Sequence, residues 1–113
     1  MDVPQISAEE LVARRKAEPE LVVLDVRPAE ERARAAMPDS VHIPAHELAR
    51  RLDELDPDAP TVVICHFGMR SVAAAALLLD RDFDDVCSLT GGIDLYARDV
   101  DPDLPRYLSL IHI

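Results

Sequence analysis

The residue best placed for chemistry is Cys65, which directly follows the apolar run Thr61–Ile64. That run is rich in β-branched side chains, which is typical of a buried strand. An alanine- and leucine-rich segment typical of a helix begins at Ser71, so Cys65 lies at a strand-to-helix turn with Gly68 in its middle. In a short turn of this kind, several backbone N–H groups can point inward and form an anion-binding nest. We expect that nest to favour the thiolate of Cys65, which is the nucleophilic form of cysteine.

The rest of the turn carries groups that suit the binding of a small anion. The N-terminus of the following helix supplies roughly half a positive charge, and Arg70 adds a full charge that can hold an oxyanion at two points. The predicted substrate-binding residues are the six that follow the cysteine: His66, Phe67, Gly68, Met69, Arg70 and Ser71. The alternative is that Cys65 is an inert core residue, as buried cysteines often are. An inert cysteine needs neither the glycine nor the arginine, so the reactive interpretation is favoured.

Two charged residues end another apolar run and are expected beside the cysteine. Residues 21–24 predict a second buried strand, which is followed by Asp25 and Arg27. Because ligands of parallel sheets bind where the carboxyl ends of strands lead into helices, these residues and Cys65 should share one edge. We expect Asp25 to accept hydrogen bonds from the backbone of the turn and Arg27 to pair with a carboxylate such as Glu31. A strand-end cap and a surface ion pair are the plainer alternative, so both residues are given supporting roles.

Three side chains beside the cysteine have several possible roles. His66 adjoins Cys65, but adjacent residues leaving a strand usually diverge, so His66 is predicted to line the donor site and not to form a catalytic dyad. Phe67 and Met69 are apolar residues in the turn. They are predicted to line the pocket mouth or a docking surface for a partner protein, or to be half-buried packing.

Metal and disulfide chemistry are not predicted. His42 and His46 lack the paired spacing of metal ligands. Cys87 lies in an apolar run and is interpreted as packing, and two cysteines do not make a disulfide scaffold in a chain of this size.

The remaining pattern predicts an α/β architecture. Ser7 and Glu10 have the form of a capping box, which marks the start of a helix. The predicted strands cover residues 21–24, 41–43, 61–64 and 85–89, and the predicted helices cover residues 7–16, 30–36, 45–55, 71–80 and 93–98. Apolar strands followed by helices indicate a mostly parallel sheet with helices on both faces.

Length and charge exclude several classes of protein. A chain of 113 residues fits one domain. Its net charge of −10 argues against nucleic acid and anionic membranes as partners. The longest apolar run, residues 72–79, is far shorter than the ~20 residues needed to span a bilayer. The N-terminal residues lack the basic start and apolar stretch of a secretory signal, so a cytoplasmic location is expected.

Four stretches form an ordered set along the chain. They are LDVR at residues 24–27 with Glu31, MPDSVHIP at 37–44, VICHFGMRS at 63–71 and LTGGI at 89–93. This set is similar to the single-domain rhodanese family of thiosulfate and persulfide sulfurtransferases, and the resemblance spans residues 6–98. It implies a rhodanese-like domain of about five strands over residues 1–107, with a C-terminal tail at 108–113. Residues 100–107 also resemble the tail of rhodanese modules that act with ubiquitin-like sulfur-carrier activating enzymes.

The resemblance implies a two-step sulfur transfer without a metal or an organic cofactor. Cys65 would accept sulfane sulfur from thiosulfate, another small sulfur-containing anion or a persulfide. The resulting persulfide would then pass its sulfur to cyanide, a thiol or a protein thiolate, and Arg70 would balance the charge of the donor. The alternatives are a non-catalytic rhodanese-like module that binds proteins or carries sulfur, and a small cysteine phosphatase or arsenate reductase.

Loop length and four departures from the family pattern, the first of which is Ala35-Ala36 in place of the family's Gly-His, refine this expectation. Four residues separate Cys65 from Arg70, whereas related phosphatases and arsenate reductases have five, so sulfur transfer is favoured. Arg32 stands where the family has an aromatic residue, Asp39-Ser40 replaces its Gly-Ala, and Tyr96 replaces its tryptophan. These changes concern substrate choice and local packing and leave the Cys65 turn intact.

Overall fold

Five short strands and five α-helices alternate along the chain in the computed structural model, which describes residues 2–107. The strands are β1 (Gln5–Ile6), β2 (Val22–Asp25), β3 (Val41–His42), β4 (Thr61–Ile64) and β5 (Val86–Leu89). The helices are α1 (Ala8–Ala17), α2 (Ala29–Arg34), α3 (Ala45–Leu48), α4 (Arg70–Asp80) and α5 (Gly92–Asp99), with a 3₁₀ turn at Leu52–Glu54.

The strands form one sheet in the order β1-β5-β4-β2-β3, and every neighbouring pair is parallel. The predicted α/β fold with a parallel sheet is therefore confirmed. Since all strands run in one direction, their carboxyl ends share one edge, where Asp25 pairs in register with Ile64. Cys65 follows Ile64 and lies at that edge, as predicted.

Two apolar clusters cover the two faces of the sheet. On one face, Leu24, Val63 and Cys65 pack with residues of α3 and α4. On the other face, Val62 and Cys87 pack with residues of α1 and α5. Alternate residues of a strand point to opposite faces, so the two cysteines lie on opposite sides of the sheet.

The predicted capping box is confirmed. The Glu10 N–H donates to Ser7 Oγ over 3.1 Å, and the Ser7 N–H donates to Glu10 Oε1 over 3.0 Å. Strand β4 has the predicted bounds, and the remaining helix and strand bounds lie within two residues of the predictions, except in one segment.

That segment is the predicted helix at residues 45–55, which is wrong in its length. The α-helix ends at Leu48, and Arg50 and Arg51 donate to carbonyls three residues earlier instead of four. Leu52 and Leu55 still pack against the core, because a 3₁₀ turn also returns side chains to one face every three residues. The leucine side chains of this segment therefore reach the core without a continuous α-helix.

The structure also contains a strand that sequence reasoning missed. Strand β1 has only two residues, Gln5 and Ile6, which are too few to show a period, and it forms the sheet edge beside β5. The predicted tail at residues 108–113 lies outside the described residues, and the domain limits of 1–107 remain a prediction.

Candidate active site

Cys65 is buried, with 1% of its surface exposed, yet its sulfur is surrounded by hydrogen-bond donors. The backbone N–H of Gly68 points at Sγ over 3.1 Å, and that of Ser71 over 3.3 Å. Ser71 Oγ lies 3.5 Å from the same sulfur. Donors that converge on one buried atom favour a negative charge there. The predicted nest of inward-facing amides is therefore present, and we call it the cradle (residues 65–71).

The cradle is held from behind by the start of α5. The Ile93 N–H donates to the Cys65 carbonyl over 2.8 Å, and the Asp94 N–H donates to the His66 carbonyl over 3.1 Å. These bonds turn the two carbonyls away from the sulfur. A side chain at Gly92, whose φ is +61°, would overlap both carbonyl oxygens. The Gly-Gly turn after β5 thus sets the orientation of the cradle.

Gly68 meets a second geometric requirement. Its φ of +92° lies in the left-handed region, and a Cβ there would lie 3.0 Å from the Gly91 nitrogen and from the Leu89 carbonyl oxygen. A larger residue would have to force the cradle and the β5–α5 turn apart.

Arg70 is held by Glu31 and does not present a free guanidinium. Its Nη1 donates to Glu31 Oε2 and its Nη2 to Glu31 Oε1, each over 3.0 Å, and the side chain of Glu31 is fully buried. Burial lowers the pKa of Arg70, but the hydrogen bonds and charge of Glu31 outweigh it and raise that pKa overall. Both terminal nitrogens already bind Glu31, so the expected two-point grip on a donor would require this ion pair to open, and the grip stays a prediction.

The interpretation of Asp25 and Arg27 also needs correction. Asp25 does not bond the cradle backbone among the described residues; its carboxylate accepts from Arg27 Nε over 2.9 Å and Nη2 over 2.6 Å, and from Arg32 over 3.2 Å. Arg27 therefore pairs with Asp25, and the carboxylate of Glu31 goes to Arg70. Two ion pairs, the buried Asp25–Arg27 pair and the partly buried Glu31–Arg70 pair, are present where one was expected.

Tyr107 joins these two ion pairs. Its hydroxyl accepts from Arg27 Nη1 over 2.6 Å and donates to Glu31 Oε1 over 3.1 Å. Its ring centroid lies 4.2 Å from that of His66, and burial raises the pKa of Tyr107 to about 12. Sequence reasoning assigned Tyr107 no role, and the motif around Glu31 gave no indication of a partner 76 residues away.

The other loop residues divide into a buried and an exposed set. His66 is buried at 1% exposure, and neither ring nitrogen has a hydrogen-bond partner within residues 2–107. Burial lowers the pKa of His66, so its ring is neutral at neutral pH. Phe67 and Met69 are 48% and 62% exposed, which favours a pocket mouth or docking surface over half-buried packing.

Two of the departures from the family pattern contact each other. Arg32 donates from Nη1 to Ser40 Oγ over 3.1 Å and from Nη2 to the Ser40 carbonyl over 3.1 Å. The same guanidinium reaches Asp25, so the arginine in place of an aromatic residue adds a second cation to the Asp25–Arg27 pair.

Beside the cradle, α3 and α4 enclose a shallow, mainly apolar cavity of about 250 Å³. Its lining includes Arg70 together with Ala45, Leu48, Ala73, Ala74 and Leu77. Within residues 2–107, no group of three or more His, Cys, Asp and Glu side chains is arranged to hold a metal ion. None of the helices described is both long and apolar enough to cross a bilayer.

Comparisons with known proteins agree with this geometry. The family model for the rhodanese-like domain matches residues 7–99. A thiosulfate sulfurtransferase GlpE from Pseudomonas savastanoi is 41% identical over 75 residues, which cover 66% of this chain and 71% of the relative. A sulfurtransferase from Allochromatium vinosum is 32% identical over 85% of this chain and 90% of its own length.

A solved structure leads to the same assignment. The rhodanese-related protein of Thermoplasma volcanium superimposes with a TM-score of 0.80 at 30% identity, covering 92% of this chain and 99% of that protein. The residues matched by the family model, 7–99, contain β2 to β5, the cradle and the β5–α5 turn that holds it. The chain belongs to the rhodanese-like domain family, and its relatives named above are sulfurtransferases.

Proposed function

We propose that Cys65 is the nucleophile of a sulfurtransferase and carries the transferred sulfur as a persulfide. The observation that supports this most directly is the convergence of the Gly68 and Ser71 amides on a buried sulfur, at 3.1 and 3.3 Å. A cysteine used only for packing would not need two backbone N–H groups directed at its sulfur. The relatives named as sulfurtransferases supply the reaction class.

The proposed reaction has two balanced steps. The Cys65 thiolate attacks the outer sulfur of thiosulfate; a new S–S bond forms, the old one breaks, and sulfite leaves with the bonding electron pair. An acceptor thiolate then attacks the outer sulfur of the Cys65 persulfide, takes it as a new persulfide and regenerates the Cys65 thiolate. Cyanide can replace that acceptor and leaves as thiocyanate. Covalent catalysis of this kind gives ping-pong kinetics.

The cradle and the start of α4, not a free arginine, are proposed to meet the negative charge of the donor. Helix α4 has 11 residues, and its first turn supplies the Ser71 amide that already points at the sulfur. Amides at a helix N-terminus bind anions without a countercharge. Arg70, tied to Glu31, is proposed to shape the cradle from one side.

The exposed rim favours a donor or acceptor with an organic or protein part. Phe67 and Met69 are exposed large apolar side chains of the cradle, and the apolar cavity between α3 and α4 is lined in part by Arg70 of the same cradle. We therefore propose thiol- and protein-borne persulfides as donors, with thiosulfate as a competent small donor, and thiols or protein thiolates as acceptors. Both described cysteines are free thiols, which suits the proposed cytoplasmic location.

The test is the intact mass of the protein after incubation with thiosulfate and, separately, with glutathione persulfide. We expect a gain of one sulfur atom that cyanide removes as thiocyanate. Cys65→Ser should gain nothing, and Cys87→Ser, the matched control, should gain as much as the unchanged protein.

Two results would replace this proposal. If neither donor adds sulfur while a partner protein binds tightly, the chain is a non-catalytic binding module. If the protein turns over an aryl phosphate and Cys65→Ser does not, the cradle serves phosphate chemistry despite its shorter loop.

A further inference from the structure

Ser88, a residue outside every motif used above, is in contact with the cradle. It lies in β5 on the same side of the sheet as Cys65 and is fully buried. Its Oγ lies 2.6 Å from Ser71 Oγ, which in turn lies 3.5 Å from Cys65 Sγ. Three polar side-chain atoms thus form a chain that ends at the sulfur, without exposure to solvent.

The Ser88 hydroxyl has one hydrogen-bond partner among the described residues. Within residues 2–107, its side chain makes one hydrogen bond, to Ser71 Oγ. A buried hydroxyl that donates to nothing loses the free energy of a hydrogen bond to water. Ser88 is therefore the donor in the short contact, and Ser71 is the acceptor.

That assignment fixes the proton of Ser71. In the 3.5 Å contact the protonated thiol of Cys65 donates to Ser71 Oγ. Ionisation removes that thiol proton, and because Ser71 Oγ accepts from Ser88, the proton of Ser71 can then turn toward Sγ, its other side-chain partner within residues 2–107. A thiolate accepts a hydrogen bond far better than a thiol does. In the reverse direction the thiol donates to Ser71 and Ser71 to Ser88, which leaves the buried proton of Ser88 without an acceptor.

We propose that Ser88 is a positioning residue for sulfur transfer: it turns the Ser71 hydroxyl toward Cys65 and thereby stabilises the ionised sulfur. The proposal rests on the function assigned to Cys65 above. Ser88 does not touch the donor or the reacting atom; it acts through Ser71.

The experiment is the rate at which iodoacetamide, a neutral reagent, alkylates Cys65 in Ser88→Ala between about pH 5 and pH 9, because alkylation follows the thiolate fraction. We expect the rate at neutral pH to fall about 3- to 10-fold, the effect of losing one ordinary hydrogen bond, because Ser88 acts through Ser71 and does not itself contact the charged sulfur. The rate at high pH should reach the same plateau, so the profile moves to higher pH.

Thr61→Val is the matched control. It removes another buried hydroxyl from the neighbouring strand β4, where Thr61 donates to the Ala59 carbonyl at the far end from the cradle. Its alkylation profile should coincide with that of the unchanged protein. An equal shift in Thr61→Val, or none in Ser88→Ala, would overturn the proposal.

A double-mutant cycle separates positioning from a general loss of packing. Once Ser71→Ala has removed the hydroxyl through which Ser88 acts, adding Ser88→Ala should have no further effect on the alkylation profile. If the effects of the two substitutions on the alkylation profile are additive, Ser88 does not act through Ser71 and the proposal is refuted. If Ser88→Ala folds poorly, Ser88→Thr takes its place in the test; because it keeps the hydroxyl, its alkylation profile should match that of the unchanged protein. Alkylation does not depend on a sulfur donor, so it tests the role of Ser88 separately from sulfur transfer. If the unchanged protein takes up no sulfur, the proposed function fails; if its alkylation profile does not respond to Ser88→Ala, the inference about Ser88 fails.

Discussion

Cys65 and Cys87 are two thiols with similar burial, 1% and 3% exposed; Cys65 directly follows β4, and Cys87 lies within the neighbouring strand β5. Each also has an arginine nearby that is neutralised by carboxylates. Arg70 pairs with Glu31 on one side, and Arg14, whose Nη1 lies 3.6 Å from Cys87 Sγ, pairs with Glu18 and Asp85 on the other. Neither burial nor a neighbouring arginine distinguishes the two sites.

The difference lies in the backbone. Cys87 is inside β5, where its neighbours' amides are directed into the sheet, and burial raises the pKa of its thiol. Cys65 lies one residue beyond β4, where the chain turns and aims two amides at the sulfur. A shift of position along a strand thus separates a packing thiol from a candidate nucleophile.

The largest difference between the two cysteines should appear when the sulfur of each is exchanged for oxygen. Cys65→Ser should lower thiocyanate formation from thiosulfate and cyanide by at least about a thousandfold, because a serine hydroxyl is not ionised at neutral pH. Cys87→Ser should remain within about twofold of the unchanged protein. Comparable losses in both variants would mean that the two thiols do not differ in role.

Removing the support behind the cradle should come next. In Gly92→Ala the added methyl group meets the carbonyls of Cys65 and His66 at a positive φ, so we expect a loss of about 2–4 kcal/mol in the free energy of unfolding. Denaturant titration measures it. Gly68→Ala, with contacts at 3.0 Å, should lose less; a Gly92→Ala protein of unchanged stability would contradict the packing described here.

A smaller effect on reaction rates is expected from replacing Arg70. Arg70→Lys keeps the charge but cannot hold both oxygens of Glu31 in parallel, so thiosulfate turnover and iodoacetamide alkylation should fall together, by about 3- to 10-fold. Arg14→Lys is the control and should change neither rate. If turnover falls and alkylation does not, Arg70 contacts the donor directly instead of shaping the cradle.

The smallest effect is a pH dependence of stability on the Cys65 side of the sheet. The pKa of His66 is lowered in the folded protein by burial, whereas the unfolded chain takes up this proton at about pH 6.5. Below that pH the unfolded state binds more protons, so the free energy of unfolding should decrease as pH falls from about 6.5 toward 5.

Thermal unfolding across this range measures the dependence. His66→Gln should flatten the profile, and His46→Gln, a change at an exposed histidine, should leave it as it was. A profile that His66→Gln does not alter would show that another group carries the dependence.

The parts of the site that lie close together in sequence were predictable. A β-branched run, a cysteine, a glycine and a new helix predict a strand, a turn and inward amides, because each depends on neighbouring residues. The ordered motifs identified the family for the same reason.

The parts that depend on distant residues were not predictable. Glu31 meets Arg70 across 39 residues and Tyr107 across 76, and several carboxylates could have taken either arginine. Which pairs form depends on how α2 and residues 101–107 pack at the sheet edge. Ser88 had no distinguishing signal, since a serine in a buried strand becomes informative only when its partner is known.

Tyr107 also gives the protein a natural optical reporter. The chain contains two tyrosines and no tryptophan, so its ultraviolet emission comes from phenol rings alone. One of these rings is hydrogen-bonded to Arg27 and Glu31 and lies against His66. Because His66 directly follows Cys65 in the cradle, loading sulfur onto Cys65 should change the fluorescence of this ring, and the reaction can then be followed in real time without a label.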